Sequence, residues 1–147
     1  MIKRQNEIMK KFIAVLFFCF FIFPALASDY ITATSGYVFD GDTFAAVVEL
    51  KNDVKISVRV RILGIDAPEI HGECKSEIQM ANKAKKYLET LLPNGTNVIL
   101  SDIKDDKYLG RIDANVKLDD GRDVATIMLK QKMVRPYGGK KRKPWCI

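Results

Sequence analysis

The stretch VKISVRVRIL, residues 54–63, and the GIDAPE that follows it at residues 64–69 decide the fold of this chain. Apolar and polar side chains alternate through the first stretch, with one face formed by Val54, Ile56, Val58, Val60 and Ile62. The opposite face carries Lys55, Ser57, Arg59 and Arg61. Alternation of this kind predicts a β-strand with one buried face. That strand delivers the acidic segment after it to the edge of a sheet.

More strands are predicted on both sides of this one. Residues 31–39 and 43–50 have strand character around the turn Asp40-Gly41-Asp42, and residues 51–53 form another turn, so three strands make a meander. Two later strands are predicted at residues 97–101 and 111–118.

Two helices are predicted between and after these strands. Apolar residues at helical spacing indicate a helix that starts at Ser76 in a Ser76-x-x-Gln79 capping box and stops at Pro93-Asn94-Gly95. A second helix is predicted at residues 124–133, with Val124, Ile127, Met128 and Gln131 on one side. Five short strands with two inserted helices predict a mainly β, α+β domain. The five-stranded, partly open barrel known as the OB-fold is the leading candidate, and a helix-backed sandwich is the alternative.

The first 27 residues differ from the rest of the 147-residue chain. Lys10 and Lys11 precede an apolar run at residues 12–23, and Pro24-Ala25-Leu26-Ala27 follows. A basic region, an apolar core and an A-x-A end are typical of a secretory signal peptide. We therefore expect a secreted or periplasmic protein with one domain at residues 28–147, of which 136–147 form a basic tail. An uncleaved anchor is the alternative, and Met9 is an alternative start.

The net charge and the number of cysteines that matter are those of residues 28–147, the part expected to remain after cleavage. The predicted leader carries four basic residues and one acidic residue, so the remainder keeps +3 of the formal +6 net charge. The run Lys140–Lys143 alone supplies four positive charges, so overall charge is weak evidence for a nucleic-acid partner. Loss of Cys19 with the leader leaves Cys74 and Cys146, and an even cysteine number in an exported protein predicts a disulfide. Two free, buried thiols are the alternative.

Three polar motifs together supply what phosphodiester hydrolysis needs. They are DGDT at residues 40–43, RILGIDAPE at residues 61–69 and DDKYLGR at residues 105–111. Each alone is typical of an ordinary turn. Asp42 and Asp66 can bind a hard cation, and the guanidinium groups of Arg61 and Arg111 match a phosphate. Zinc and histidine chemistry are disfavoured because the predicted mature chain has one histidine, His71, and no His-Cys cluster. A site made only of oxygen ligands suits calcium or magnesium, and ligands on flexible loops favour calcium.

The combination resembles the staphylococcal (micrococcal, or thermonuclease) nuclease family. The motifs DGDT, RILGIDAPE and DKYLGR carry the resemblance, together with DGRDVATIMLKQKMV at residues 120–134, and it extends over nearly all of residues 30–137. It implies an OB-type barrel and a monomeric calcium-dependent nuclease that hydrolyses DNA and/or RNA to leave 3′-phosphate ends.

The resemblance also implies residue roles. Asp42, Asp66 and the backbone carbonyl of Ala67 would bind one calcium ion, and Glu69 would act on the attacking water. Arg61 and Arg111 would hold the scissile phosphate. Lys107 and Tyr108 would lie near a nucleotide phosphate. Tyr137 is a candidate to stack on a base, and a packed tyrosine is the alternative.

The chain departs from the family pattern at several points. Leu109 is an extra residue inside the usual Tyr-Gly-Arg, which leaves the direction of Arg111 open, and Lys132 stands where a helix-ending glycine is common. We expect no counterpart of the family's third helix after Tyr137, and we hypothesise that a Cys74–Cys146 bond replaces it. The bond would hold Lys140–Lys143 beside the active-site loop, where they can attract a polyanion. A solvated, uninvolved tail is the alternative.

Two functions other than that of a nuclease are the alternatives. One is a catalytically silent nucleic-acid-binding barrel, which the presence of all the carboxylates and both arginines disfavours. The other is an exported calcium-binding or interaction domain. Paired arginines argue against it, because they repel a metal ion unless an anion lies between them.

Overall fold

A computed structural model describes residues 29–146, so the predicted signal peptide at residues 1–27 lies outside the described residues. The elements follow in chain order: β1 Tyr30–Val38, β2 Thr43–Glu49, β3 Lys55–Ile62, β4 Ile65–Asp66, α1 Lys75–Leu91, β5 Asn97–Asp105, β6 Arg111–Leu118, α2 Val124–Lys130 and β7 Arg135–Pro136. In residues 29–146, no helix has both the length and the apolar character needed to cross a membrane.

Five strands close into a barrel in the order β1-β2-β3-β6-β5, with β5 paired back onto β1. The β3–β6 pair is parallel and the other four pairs are antiparallel. The predicted meander is present as β1, β2 and β3. A closed, mainly β barrel with two helices confirms the predicted OB-type α+β fold.

The alternation of β3 holds only in its second half. Val60 and Ile62 are fully buried, whereas Val54 and Ile56 are exposed. Leu50, at the other side of the same hairpin end, is exposed as well. This end of the β2–β3 hairpin therefore lies away from the barrel core, and only the end nearer the acidic segment is packed inside.

Helix α1 packs on the barrel next to the β1–β2 turn. Its buried face is formed by Ala81, Ala84 and Leu88. A Cβ atom on Gly41 would lie 2.6 Å from the Cβ of Ala84 and 2.9 Å from that of Ala67. Gly41 is therefore required for the close approach of the turn, the helix and the residue after β4, and this packing fixes the acidic turn in place.

The capping box predicted at Ser76 is wrong. The helix begins at Lys75 with Cys74 as its N-cap, and no side chain of the cap residue hydrogen-bonds to the first turn. Instead, Glu77 in the first turn accepts from the backbone N–H of Glu73 at 3.1 Å. A carboxylate at the third helical position thus accepts a hydrogen bond from a backbone N–H that precedes the helix. This resembles one of the two hydrogen bonds of a capping box.

Helix α2 is shorter than predicted and leads into an unpredicted strand pair. Asp123 caps the helix by accepting from the Thr126 N–H at 2.7 Å. The helix ends at Lys130 rather than Met133, and Lys132 has a left-handed backbone with φ of 55°. The chain then forms β7, which pairs with β4 and places Arg135 opposite Asp66.

Candidate active site

A cavity of about 690 Å³ opens at the end of the barrel where the three polar motifs meet. Most of the predicted site residues line it: Asp42, Arg61, Glu69, Lys107, Tyr108, Arg111 and Tyr137. Asp66 and Ala67 do not line the cavity but are buried, with exposures of 0% and 2%. The barrel therefore brings side chains from opposite ends of the sequence to one site.

The acidic turn is joined directly to the segment after β3. Oδ2 of Asp42 accepts from the backbone N–H of Ala67 at 3.0 Å. Its Oδ1 accepts from the Thr43 hydroxyl at 2.8 Å, and Oδ1 of Asp40 accepts from the Asp42 N–H at 3.0 Å. These bonds fix the Asp42 carboxylate beside the segment that carries Asp66.

Arg61 projects from β3 into the cavity between these acidic groups and the chain after α2. Its Nη2 lies 3.5 Å from Oδ2 of Asp42 and 3.4 Å from the carbonyl oxygen of Ile65. The guanidinium carbon lies 5.3 Å from the ring centre of Tyr137. Partial burial and these contacts orient the guanidinium before any substrate arrives.

Arg111 lines the same cavity, although Leu109 is inserted before it. Its Nε and Nη2 both lie 3.0 Å from Oδ2 of Asp106, and its guanidinium carbon is 4.4 Å from the Tyr108 ring centre. Leu109 is fully exposed, and Gly110 has a φ of 78°. The extra residue is thus taken up in a turn that projects into solvent, while Arg111 keeps its place as the first residue of β6.

The charge of Asp106 is favoured by the same contacts. Burial acts to raise the pKa of Asp106, but bonds from the Tyr108 backbone N–H and from Arg111 outweigh it and hold the pKa below its usual value. An ionised Asp106 keeps Arg111 oriented along the cavity wall.

The segment from β3 to β4 thus lies beside a cavity that is open to solvent. Two arginines and two acidic motifs surround this segment. A family model described as Staphylococcal nuclease homologue matches residues 59–143. The chain belongs to this family. The match covers more than half of the chain and includes the second half of β3, all of β6 and the segment that follows α2 as far as residue 143. No curated protein matches the chain.

Within this family member, three carboxylates crowd at the β1–β2 turn. Burial raises the pKa of Asp40 to about 7, and the neighbouring charges of Asp42 and Glu69 act in the same direction. Like charges held this close stabilise a protonated form unless a cation lies among them. Asp40 was not among the predicted site residues, although it stands in the predicted DGDT motif.

The C-terminal tail reaches the same site. Cys74 and Cys146 form the predicted disulfide, with Cα atoms 6.0 Å apart. The guanidinium of Arg142 donates to Oδ1 of Asp66, to Oε1 of Glu69 and, at 3.1 Å, to the backbone oxygen of Ala67. The tail is therefore not an uninvolved solvated segment.

Asp66 has two further partners from the chain after α2. Nε of Arg135 donates to its Oδ2 at 2.8 Å, and the indole N–H of Trp145 donates to the same oxygen at 3.2 Å. Arg135 also lies 4.1 Å from the Trp145 ring centre. A carboxylate that is fully buried is stable as an anion only with such partners.

The donor set fits a hard divalent cation on two observations. Asp42, Asp66 and the Ala67 carbonyl offer only oxygen atoms, which calcium prefers. A positive group, the guanidinium of Arg142, already lies on two of these three residues. A zinc site is not supported in residues 29–146, since the one tight His/Cys/Asp/Glu cluster there is Cys74, Glu77 and Cys146, whose sulfurs are bonded to each other.

Sequence reasoning missed the residues that act on the site from a distance along the chain. They are Glu77, Arg135, Arg142 and Trp145. The basic run Lys140–Lys143 and the predicted disulfide gave a signal that the tail lies near the loop after Glu69, but nothing in the sequence distinguishes Arg142 from the lysines beside it.

Proposed function

We propose that this family member is an exported, monomeric nuclease that uses one calcium ion to hydrolyse DNA and/or RNA and leaves 3′-phosphate ends. The observation that carries the proposal is the grouping of Arg61, Arg111 and Glu69 around one open cavity beside Asp42. This arrangement supplies two cationic side chains that can bind a phosphate, a carboxylate that can act on the attacking water, and oxygen ligands for a metal ion.

The two arginines are suited to bind the scissile phosphate. Arg61 and Arg111 stand on the parallel pair β3 and β6, where Arg111 is in register with Arg59 and Asp113 with Arg61. Guanidinium groups on adjacent strands can hold different oxygens of one phosphate and stabilise the negative charge that builds up in the transition state. Asp106 and Tyr137 act as positioning residues, because they orient Arg111 and Arg61 before the substrate binds.

Glu69 is suited to act on the attacking water. Its side chain is half exposed at 50% and lines the cavity, so both water and a phosphate have access to it. A carboxylate at this place accepts a hydrogen bond from water and either takes the water's proton or directs the water oxygen toward the phosphorus.

The metal would be held by Asp42, Asp66 and the backbone carbonyl of Ala67. When bound, calcium supplies positive charge that neutralises the phosphate and lowers the energy of the developing transition state.

Three residues are suited to bind the rest of the substrate. Tyr108 is exposed and Tyr137 is half-buried at the cavity, and Nζ of Lys107 lies 4.9 Å from the Tyr108 ring centre. Exposed aromatic rings with a neighbouring cation are suited to stack on a base and bind a neighbouring phosphate.

Digestion of single- and double-stranded DNA and of RNA tests this function. The protein is assayed with calcium, with a chelator and as Glu69→Gln, and Glu73→Gln in the same loop is the matched control. We expect calcium-dependent cleavage that falls by at least about a hundredfold in Glu69→Gln and is unchanged in Glu73→Gln. Binding without cleavage would instead indicate a silent nucleic-acid-binding barrel, and neither binding nor cleavage would reject both.

Export and product ends are tested separately. Expression of the full chain in a bacterium, followed by N-terminal sequencing of the protein from periplasm and medium, is expected to show a chain that starts at Ser28. Labelling of the cleavage products with polynucleotide kinase before and after phosphatase treatment identifies the end that carries the phosphate. Labelling of 5′ ends without prior phosphatase treatment supports 3′-phosphate products.

A further inference from the structure

The tail arginine occupies the acceptors that the proposed reaction needs. Arg142 contacts Asp66 and the Ala67 carbonyl, which are two of the three proposed metal ligands, and also Glu69, which is proposed to act on water. One side chain from the far end of the chain thus engages both the metal site and the water-activating carboxylate. A metal ion and the Arg142 guanidinium cannot both occupy the oxygen atoms of Asp66 and Ala67 at the same time.

Arg142 is held in this place by several contacts on both sides of it. The disulfide attaches Cys146 to Cys74 at the start of α1. Arg135 donates to the carbonyl oxygens of Lys143 and, at 3.1 Å, of Pro144. Trp145 packs on the Arg135 guanidinium and donates to Asp66. The tail is therefore fastened independently of Arg142 itself.

Other contacts of the tail explain why it folds over the site instead of extending into solvent. Tyr137 donates to the carbonyl of Lys140 at 2.6 Å, so the chain turns back directly after β7. Asp66 and Glu69 offer two negative charges, and Arg142 supplies one of the two guanidinium groups that reach Asp66.

We propose that the segment 140–146 is an autoinhibitory strap in which Arg142 competes with the divalent cation for Asp66 and the Ala67 carbonyl. The proposal rests on the proposed function, because it assigns the regulation of that same site. With the strap closed, Oε1 of Glu69 is paired with Arg142 and is not free to accept a hydrogen bond from the attacking water. Calcium binds the fraction of molecules in which Arg142 has left, so the apparent calcium affinity is lower than the intrinsic one by that fraction.

Calcium titration by isothermal calorimetry tests the competition without using activity. The folded chain with the disulfide intact is compared with Arg142→Gln, and Lys141→Gln is the control, because it removes the same charge from the neighbouring exposed residue. We expect calcium to bind Arg142→Gln about tenfold more tightly, and Lys141→Gln to bind it like the unmodified chain.

A second variant tests the attachment of the strap. Cys146→Ser removes the bond but leaves Arg142 in the chain, and we expect tighter calcium binding here too, by a smaller factor than for Arg142→Gln. Equal dissociation constants for the unmodified chain and Arg142→Gln would overturn the proposal, and so would a failure of all variants to bind calcium. Tighter binding in Arg142→Gln without cleavage of any nucleic acid would support the strap and reject the nuclease, so the two failures are distinguishable.

Discussion

The backbone N–H of Glu69 donates to Oε1 of Glu77 across 3.2 Å. The other carboxylate oxygen of Glu77 accepts from the N–H of Glu73, so one buried side chain holds both ends of the short loop between β4 and α1. Gly72 packs on the same carboxylate, where a Cβ atom would lie 2.5 Å from the Glu77 side chain. Glu77 therefore determines where Glu69 stands relative to the cavity.

Replacement of Glu77 by alanine is expected to destabilise the fold and lower nuclease activity. Two partly buried N–H groups lose their acceptor, and an unsatisfied group costs about 1 to 3 kcal/mol when it is fully buried. Urea unfolding and initial cleavage rates measure the two effects. Glu89→Ala, on the exposed face of the same helix, is the control. A Glu77→Ala protein as stable and active as this control would contradict the positioning role.

Asp40 is expected to contribute a loss of stability to the calcium-free protein as pH rises from about 4 to about 7. Its pKa is raised in the fold from 3.8 to about 7 by burial and by the charges of Asp42 and Glu69. Because the folded state then binds the proton more tightly than the unfolded state, the stabilisation is present at low pH and is lost as pH rises through the folded pKa.

Thermal melts across this pH range, for the unmodified chain and Asp40→Asn, measure that dependence. Asparagine carries no proton to lose, so we expect the fall in melting temperature to be smaller in Asp40→Asn. The control is Asp119→Asn at the exposed turn after β6. Identical pH profiles for all three proteins would show that Asp40 is not responsible.

The elements that the sequence predicts best are those whose pattern is local. β1, β2, β3 and β6 begin and end within one or two residues of their predicted limits, because a two-residue period and flanking turn residues are visible in the chain itself. β5 extends to Asp105 rather than residue 101, since its second half is exposed and has no alternation. Pairing of Lys104 with Asp113 on β6 extends that strand, and it cannot be seen in β5 alone.

The site residues that lie within a sequence motif were predictable. Those that reach the site from a distant part of the chain were not. Asp42, Arg61 and Glu69 belong to motifs whose spacing points to phosphate chemistry, and all three line the cavity. Arg142 is 76 residues from Asp66 in sequence, and it differs from its lysine neighbours only in a planar group that can contact several oxygens together. Such a contact follows from how the tail is fastened, which only the folded chain determines.

Removal of the disulfide is expected to cost much of the domain's stability. The bond joins residues 72 apart, and closing a loop of this size stabilises a fold by about 4 kcal/mol in the chain-entropy model. Urea unfolding of the oxidised chain and of a Cys74→Ser, Cys146→Ser double variant measures the difference. A lower urea midpoint in the double variant is expected. Equal midpoints would mean that the bond adds no stability, although it can still position the strap.

Leu109 is expected to be dispensable for cleavage, whereas Arg111 is not. The Leu109 side chain is fully exposed, and the turn that contains it brings the Arg111 N–H to the Tyr108 carbonyl at 3.1 Å. Leu109→Ser is therefore expected to leave the initial rate of DNA cleavage within about twofold, since it removes no contact with the site. Arg111→Gln is expected to lower that rate by about a hundredfold, because it removes a charged donor to the transition state.

A matched control separates the loss of Arg111 from a general loss of positive charge. Arg122→Gln removes a guanidinium that is exposed, pairs with Asp120 and lies outside the cavity. Cleavage at the unmodified rate in Arg122→Gln and in Leu109→Ser, together with a loss in Arg111→Gln, would show that Arg111 reaches the phosphate despite the inserted residue. A rate that falls equally in Leu109→Ser and Arg111→Gln would show that the conformation of the turn, rather than the guanidinium, limits the reaction.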